Sequence, residues 1–349
     1  MKHSTLWILK FCYYASQALG VLSFNYDYRT GEIYTSPCLT GYCALINILK
    51  IAVIPLVLRL DFNLHTVNVT DLHFRISSIL AFLRPLTIFL TLVFNWIKRH
   101  SFMQTLRDFE QLRRNFYIKW PLRPGAKQKF ESDFKSKFVW STLTSIFMTM
   151  GAYEYFKILF KEDCLWVYLP FGLFVQIFNV SLFHYYFLLL VINTMQLSVK
   201  EEVKTILQET CQNFVDPRLK LLIPEKCNDV DQLARVHYAL QHLVKRINGI
   251  YDMLVACILL SFYLNNVGMI YMAYMSWYHR YIQDAYSDWC KAFMNIGLIC
   301  YHIDLKNLLN CMFGVQDNFA EIGTLIRAWE YNSQNSDQKL EETVSTINI

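Results

Sequence analysis

Four polar side chains lie inside long apolar runs of this sequence, where charge and hydrogen-bonding capacity are costly to bury: Arg84, Tyr153, Glu154 and Gln176. Together they offer a cation, an anion, a phenol and an amide, a set that can recognise a small polar molecule by ion pairing and hydrogen bonding. They are the candidate ligand-binding residues. A structural reading stands beside this one, in which Arg84 and Glu154 neutralise each other between helices while Tyr153 and Gln176 bond neighbouring backbones. Lys50 and Lys157 read as snorkelling or paired charges.

Bond-making chemistry has no residues to stand on. His237 and His242 are five apart and fall on different helix faces, and the chain holds no H-E-x-x-H, no G-x-S-x-G and no phosphate-binding or dinucleotide-binding loop. The protein is therefore expected not to be an enzyme, and to carry no cofactor and no metal. The 10 cysteines include no C-x-x-C pair, so neither a zinc site nor a secreted disulfide framework is indicated.

The elements that must position the four residues are membrane spans. The 349 residues are 54% apolar, 16% aromatic and 17% charged, with a mean hydropathy of +0.23, too apolar for an ordinary soluble globule. Runs of about 20 residues with few charges, the length that crosses a hydrocarbon core, recur about six times. They cover 39–58, 76–97, 138–160, 165–195, 250–278 and 291–313. The last holds Asp304 and Lys306, each costing about 2.5–3.5 kcal/mol at a bilayer centre, so both belong near an interface or inside protein. The fold class this predicts is all-α: a polytopic membrane helical bundle of about six transmembrane helices with its N-terminus cytoplasmic.

That orientation follows from the loops. Between the second and third spans stand Lys98, Arg99, Arg113, Arg114, Lys119, Lys127 and Lys137 among other cations, against Asp108, Glu110, Glu131 and Asp133. Lys200, Lys204, Lys226, Arg235 and Lys245 give the loop between the fourth and fifth spans the same sign. Basic loops stay in the cytoplasm, which puts the N-terminus inside. Asn68, in the sequon Asn68-Val69-Thr70, then lies outside and is a candidate for glycosylation. Cys164 and Cys290 are the cysteines of the outer loops, and the alternatives for them are a disulfide or two free thiols.

Three regions result: a cytoplasmic N-terminal segment (1–38), a six-span domain (39–313) and a polar cytoplasmic tail (314–349). In the first, the apolar run 6–22 is broken by Lys10 and Gln17 and reads as an interfacial amphipathic or re-entrant segment, not as a cleaved signal. The large inner loops read as helical extensions of the spans. Phe102, Leu106, Phe109, Leu112 and Phe116 form one stripe, Leu197, Val203, Leu207 and Phe214 continue the fourth span until Asp216-Pro217, and Leu233, Val236, Leu240, Leu243 and Ile247 lead into the fifth. Asp229 is placed to cap that last helix. Together these stripes predict a cytoplasmic helical bundle.

Two segments carry a resemblance. Leu19-Gly20-Val21-Leu22-Ser23-Phe24-Asn25-Tyr26-Asp27, followed by Thr30-Gly31, precedes the first span, and Leu240-Gln241-His242-Leu243-Val244-Lys245-Arg246-Ile247-Asn248-Gly249-Ile250-Tyr251-Asp252 enters the fifth. In this order, and with these loop sizes, the chain resembles the insect gustatory receptors over nearly its whole length. The resemblance implies a ligand-gated cation channel of the plasma membrane of gustatory receptor neurons. It further implies a homo- or hetero-tetramer of related subunits in the lipid bilayer, a small-molecule tastant as ligand and no nucleic-acid partner. The family closes with a seventh span bearing Thr-Tyr and Gln-Phe, neither of which occurs here, and 337–345 resembles the linker before it. The expectation is a chain stopping short of its pore-lining helix and not conducting ions alone. A membrane transporter or a non-conducting orphan membrane protein is the alternative.

Overall fold

The structure is a computed structural model whose described residues are helical apart from one short hairpin and the turns between elements. It describes residues 3–28, 30–64, 71–160, 164–213, 223–278 and 288–347. Asn68 and the Asp216-Pro217 stop lie outside the described residues, as do the side chains of Arg84, Cys164 and Cys290.

Helix α1 (His3–Ala18) leads through a turn into an antiparallel pair, β1 (Asn25–Tyr26) against β2 (Ile33–Tyr34). There follow α2 (Pro37–Leu64), α3 (Asp71–Ile97), α4 (Arg99–Lys119), α5 (Pro124–Phe160), α6 (Cys164–Asn213), α7 (Ile223–Tyr278) and α8 (Asp288–Ile347). Each apolar run falls inside a helix of its own, in α2, α3, α5, α6, α7 and α8 in turn. Pro124 opens α5, where its missing N–H is one that no helix satisfies anyway. Pro55 and Pro85 sit within α2 and α3, as spans tolerate when neighbouring groups take up the freed carbonyls.

Among the described residues two segments are long and apolar enough to cross a membrane on composition alone, Pro37–Pro55 at a mean hydropathy of 1.7 and Val175–Glu209 at 1.8. The first is only 11% buried and the second 56%, so α2 turns most of its apolar surface outward while just over half of that stretch of α6 is covered by protein. Outward-facing apolar side chains recur on every span: Leu45 and Ile48, Phe82 and Phe89, Ile146, Leu173, Leu260, Ile299. Such a surface is an aggregation hazard in water and the solvated face in lipid.

The chain divides into two compact units. The first gathers residues 1–107, 131–187 and 246–308. In it α5 and α6 run antiparallel and meet in one register, through Phe134 with Phe187, Phe138 with Phe183, Thr149 with Gly172 and Tyr153 with Tyr168. On another side α5 meets α8, where Met294 sits over Gly151 and Met148 over Gly297, the close approach that small residues allow between spans. Lower on the same seam Lys137 Nζ donates to Asp304 Oδ2 at 2.6 Å, both side chains at most 5% exposed. Asp304 is thus inside protein, as its position in an apolar run requires, and Lys306 is exposed. Ile54, Ile88, Leu92 and Ile177 form a core cluster joining α2, α3 and α6.

The second unit comprises residues 108–130, 188–245 and 309–349. Its core contains Phe116, Val199, Val203, Leu233, Leu240, Leu243, Val315 and Ile322, so it buries much of the stripe expected on α7 but only Phe116 of that on α4 and Val203 of that on α6, whose other described members are half-buried. Two local expectations change. Asp229 does not cap α7, because the helix already begins at Ile223; its carboxylate instead accepts from Lys119 at 2.5 Å. The residues after Phe313 continue α8 to Ile347 and bury Val315, Ile322, Ile326 and Trp329 at helical spacing, although their charge content reads as a polar tail.

Candidate functional site

Of the four candidate ligand residues, the structure brings two onto one seam. Tyr153 on α5 meets the ring of Tyr168 on α6 edge-on, with centroids 5.3 Å apart, and the Gln176 amide of α6 donates to the Ser145 hydroxyl of α5. Between these levels Gly172 faces Thr149, and a Cβ built on the glycine would stand 3.8 Å from the threonine methyl. The two levels are about 12 Å apart along the helix axis, eight residues at 1.5 Å each. Along α5 the seam therefore changes from edge-to-face phenylalanines to phenol, methyl, hydroxyl and amide groups around Gly172. Glu154 is half-buried on α5 beside Tyr153. Arg84 lies on α3, and its pairing with Glu154 falls outside the described residues. The side chains of Cys164 and Cys290 fall outside them as well, and so does Asn68. Lys50 donates to the Leu19 carbonyl, a neutral partner and not a paired charge, and Lys157 is exposed.

A second polar constellation lies at the far end of the same unit, where sequence reading saw only topogenic charge. Ser23, Asn95, Lys98, Arg99, Ser181 and His184 are among the residues lining a cavity of about 20 Å³. Its wall is built by the turn after α1. That helix ends at Ala18 and the chain turns at Gly20, whose φ of +64° few side-chain-bearing residues adopt; its carbonyl accepts from the Asn47 amide at 3.1 Å, and Cys43 holds the Leu22 carbonyl at 3.5 Å. The turn is thereby fixed against α2. Arg99, the first residue of α4, reaches back to it, with Nη2 donating to the Ser23 carbonyl at 2.9 Å and to Thr40 Oγ1 at 2.7 Å. The neighbouring Lys98 donates to the Gly249 carbonyl on α7. His184 of α6 shares a 2.7 Å hydrogen bond with Ser16 of α1.

Three features set this cavity apart. Lys98 and Arg99 form no ion pair among the described residues, and none of the lining residues is acidic. Ser181 is 1% exposed, and its hydroxyl has no hydrogen-bond partner among the described residues. The same is true of Arg99 Nε. His184, an ionisable ring within an apolar run, was the signal available in the sequence; Ser16 and Ser23 gave none.

The comparisons with known proteins agree with one another. A family profile described as "7tm Chemosensory receptor" matches residues 9–348. Among curated Drosophila melanogaster proteins, gustatory receptor 36c is 22% identical over 98% of this chain and 87% of its own length. Gustatory receptor 36b is 22% identical over 97% and 85%, and gustatory receptor 59d 24% identical over 76% and 67%.

Proposed function

The chain belongs to the 7tm chemosensory receptor family, and from that premise we propose that it is a gustatory chemoreceptor subunit that takes a small-molecule tastant into the seam between α5 and α6. It is a multi-pass membrane protein, and its family is not one of enzymes. The finer reading is a subunit of a ligand-gated cation channel in the plasma membrane of gustatory receptor neurons, assembled with copies of itself or with related subunits. The N-terminus and the basic loops lie in the cytoplasm.

The observation that carries the ligand site is the change in character of the α5–α6 seam, from aromatic packing to Tyr153, Thr149, Ser145 and Gln176 around Gly172. A ligand hydroxyl or amide can take over the Gln176–Ser145 hydrogen bond, so entry exchanges polar contacts without stranding any. α5 also carries Gly151 and Lys137 against α8. A ligand that shifts α5 therefore acts on α6 and α8 at once.

The test is expression in oocytes with surface delivery confirmed, alone and with a related subunit, under a panel of sugars, bitter compounds and amino acids. A ligand-evoked cation current is expected in the co-expressed cells, with Tyr153→Ala and Gln176→Ala moving its dose dependence at unchanged surface level. A current whose dose dependence ignores both substitutions removes the ligand from this seam.

A further inference from the structure

We infer that the cavity at Lys98 and Arg99 is a seat for one phosphate group of an anionic lipid headgroup in the inner leaflet. The inference rests on the orientation proposed above for its side of the membrane, and on nothing else in that reading.

Charge comes first. Two cations adjoin at the point where α3 gives way to α4, without a carboxylate in the cavity wall or an ion pair among the described residues. Both are half-buried and fixed by structure: Arg99 by Ser23 and Thr40, and by the Trp96 ring 5.7 Å from its guanidinium, Lys98 by the Gly249 carbonyl and the Phe94 ring at 5.6 Å. Each keeps donors in reserve, since an ammonium has three and a guanidinium five. Fixed cations with spare donors bind phosphate oxygens, and basic pockets between helices on the cytoplasmic side take lipid headgroups.

Burial gives the second line. The Ser181 hydroxyl, 1% exposed and unpartnered among the described residues, lines the cavity, as does Arg99, whose buried Nε is also unpartnered. A buried donor left unmade costs about 1–3 kcal/mol, and one acceptor-rich group placed between these donors satisfies both. The space is about 20 Å³, room for one or two of the phosphate oxygens, so the rest of the group and its ester would stand at the cavity mouth.

The surroundings identify the carrier of the phosphate. Phe82, Phe89 and Trp96 are exposed at heptad spacing on α3 and lead toward Arg99, a track for an acyl chain. On α1, which reaches the cavity through Ser16 and His184, Trp7, Phe11 and Tyr14 are 51–61% exposed along one face, the aromatic belt that marks headgroup depth. A soluble phosphate needs neither surface.

The experiment is native mass spectrometry of the full-length chain in detergent, with phosphatidic acid, phosphatidylcholine or inorganic phosphate added. It reads binding without any tastant or current, so it can fail while the receptor reading stands, and the reverse. Phosphatidic acid is expected to be retained about tenfold better than phosphatidylcholine, which carries a cationic choline toward two cations. Lys98→Gln should lower that retention about fivefold, the weight of one surface cation against an anionic membrane. Ser181→Ala, which removes only a hydroxyl, should lower it about threefold. Lys127→Gln, at an exposed position of the other unit, should leave it unchanged. Equal retention of the two lipids, or full retention in both cavity variants with unaltered melting, overturns the site. Inorganic phosphate bound at Lys98 without any preference for the lipid overturns the headgroup as its source.

Discussion

Asp304 stands in an apolar run where a lone carboxylate is costly, and its answer is a lysine 167 positions away. Lys137 is fully buried; its Nζ gives 2.6 Å to Asp304 Oδ2 and 3.3 Å to the Asp304 carbonyl, and lies 5.3 Å from the Tyr186 ring. Removing one member leaves a buried charge unpaired, which costs about 3–5 kcal/mol, whereas replacing both by apolar groups of similar volume is near neutral. Asp304→Asn and Lys137→Met should therefore each lower the melting temperature of the detergent-purified protein, and Lys137→Met with Asp304→Leu should recover most of it. Single variants as stable as the double would show that the pair is not closed. The sequence announces Asp304 as an exception but cannot name Lys137, which sits in a basic loop and reads as topogenic charge. Ser181 and His184 are the same kind of case: their partners come from α1 or from outside the chain, and spacing along α6 holds no trace of either.

Helices transmit these residue-level choices through their faces. Where α5 crosses α8, a Cβ on Gly151 would come within 2.8 Å of the Met294 sulfur and 3.4 Å of the Met294 backbone nitrogen. The sulfur can swing aside and the backbone cannot. Gly151→Ala should thus be mild, Gly151→Leu should destabilise by about 1–3 kcal/mol, and Met294→Ala should relieve part of the loss; thermal melts of the three variants decide it. In the second unit, Glu321 on α8 takes hydrogen bonds from Lys200 and Lys204 of α6 at 2.5 and 2.7 Å, and they hold its carboxyl below the usual 4.5. A depressed carboxyl stabilises the fold above its unfolded value and loses that contribution as pH falls through the folded one. Melting should then fall between pH 6 and 4 by less in Glu321→Gln than in the parent, the effect being small because the pair is exposed. The helices of the six apolar runs and the extensions of α6 and α7 were legible because a hydrocarbon-length run and an uninterrupted stripe are local properties. The second half of α8 was not: Val315, Ile322, Ile326 and Trp329 do repeat at helical spacing, but Asp317, Glu321 and Arg327 between them weigh against a membrane span, and the test for a span is not a test for a bundle helix.

At the scale of the molecule, this multi-pass member of the chemosensory receptor family carries a polar seam at one end of its first unit and a cationic cavity at the other. The two ends can have their proposed roles only in one orientation. The seam between α5 and α6 must open toward the outside, where a tastant arrives, and Lys98 and Arg99 must face the inner leaflet, whose anionic lipids attract them. The loop charges that set this direction are a property of the whole chain, since no single residue fixes it. Reading the side of the membrane is therefore the most direct test. Epitope tags placed at the N-terminus, between Pro121 and Pro124, and after Phe160 would be stained in intact and in permeabilised cells, with glycosidase sensitivity of Asn68 as an independent reporter. The tag after Phe160 is expected to be reached in intact cells and the other two only after permeabilisation, with Asn68→Gln abolishing any glycosidase-sensitive shift. Staining of the tag between Pro121 and Pro124 without permeabilisation would contradict it.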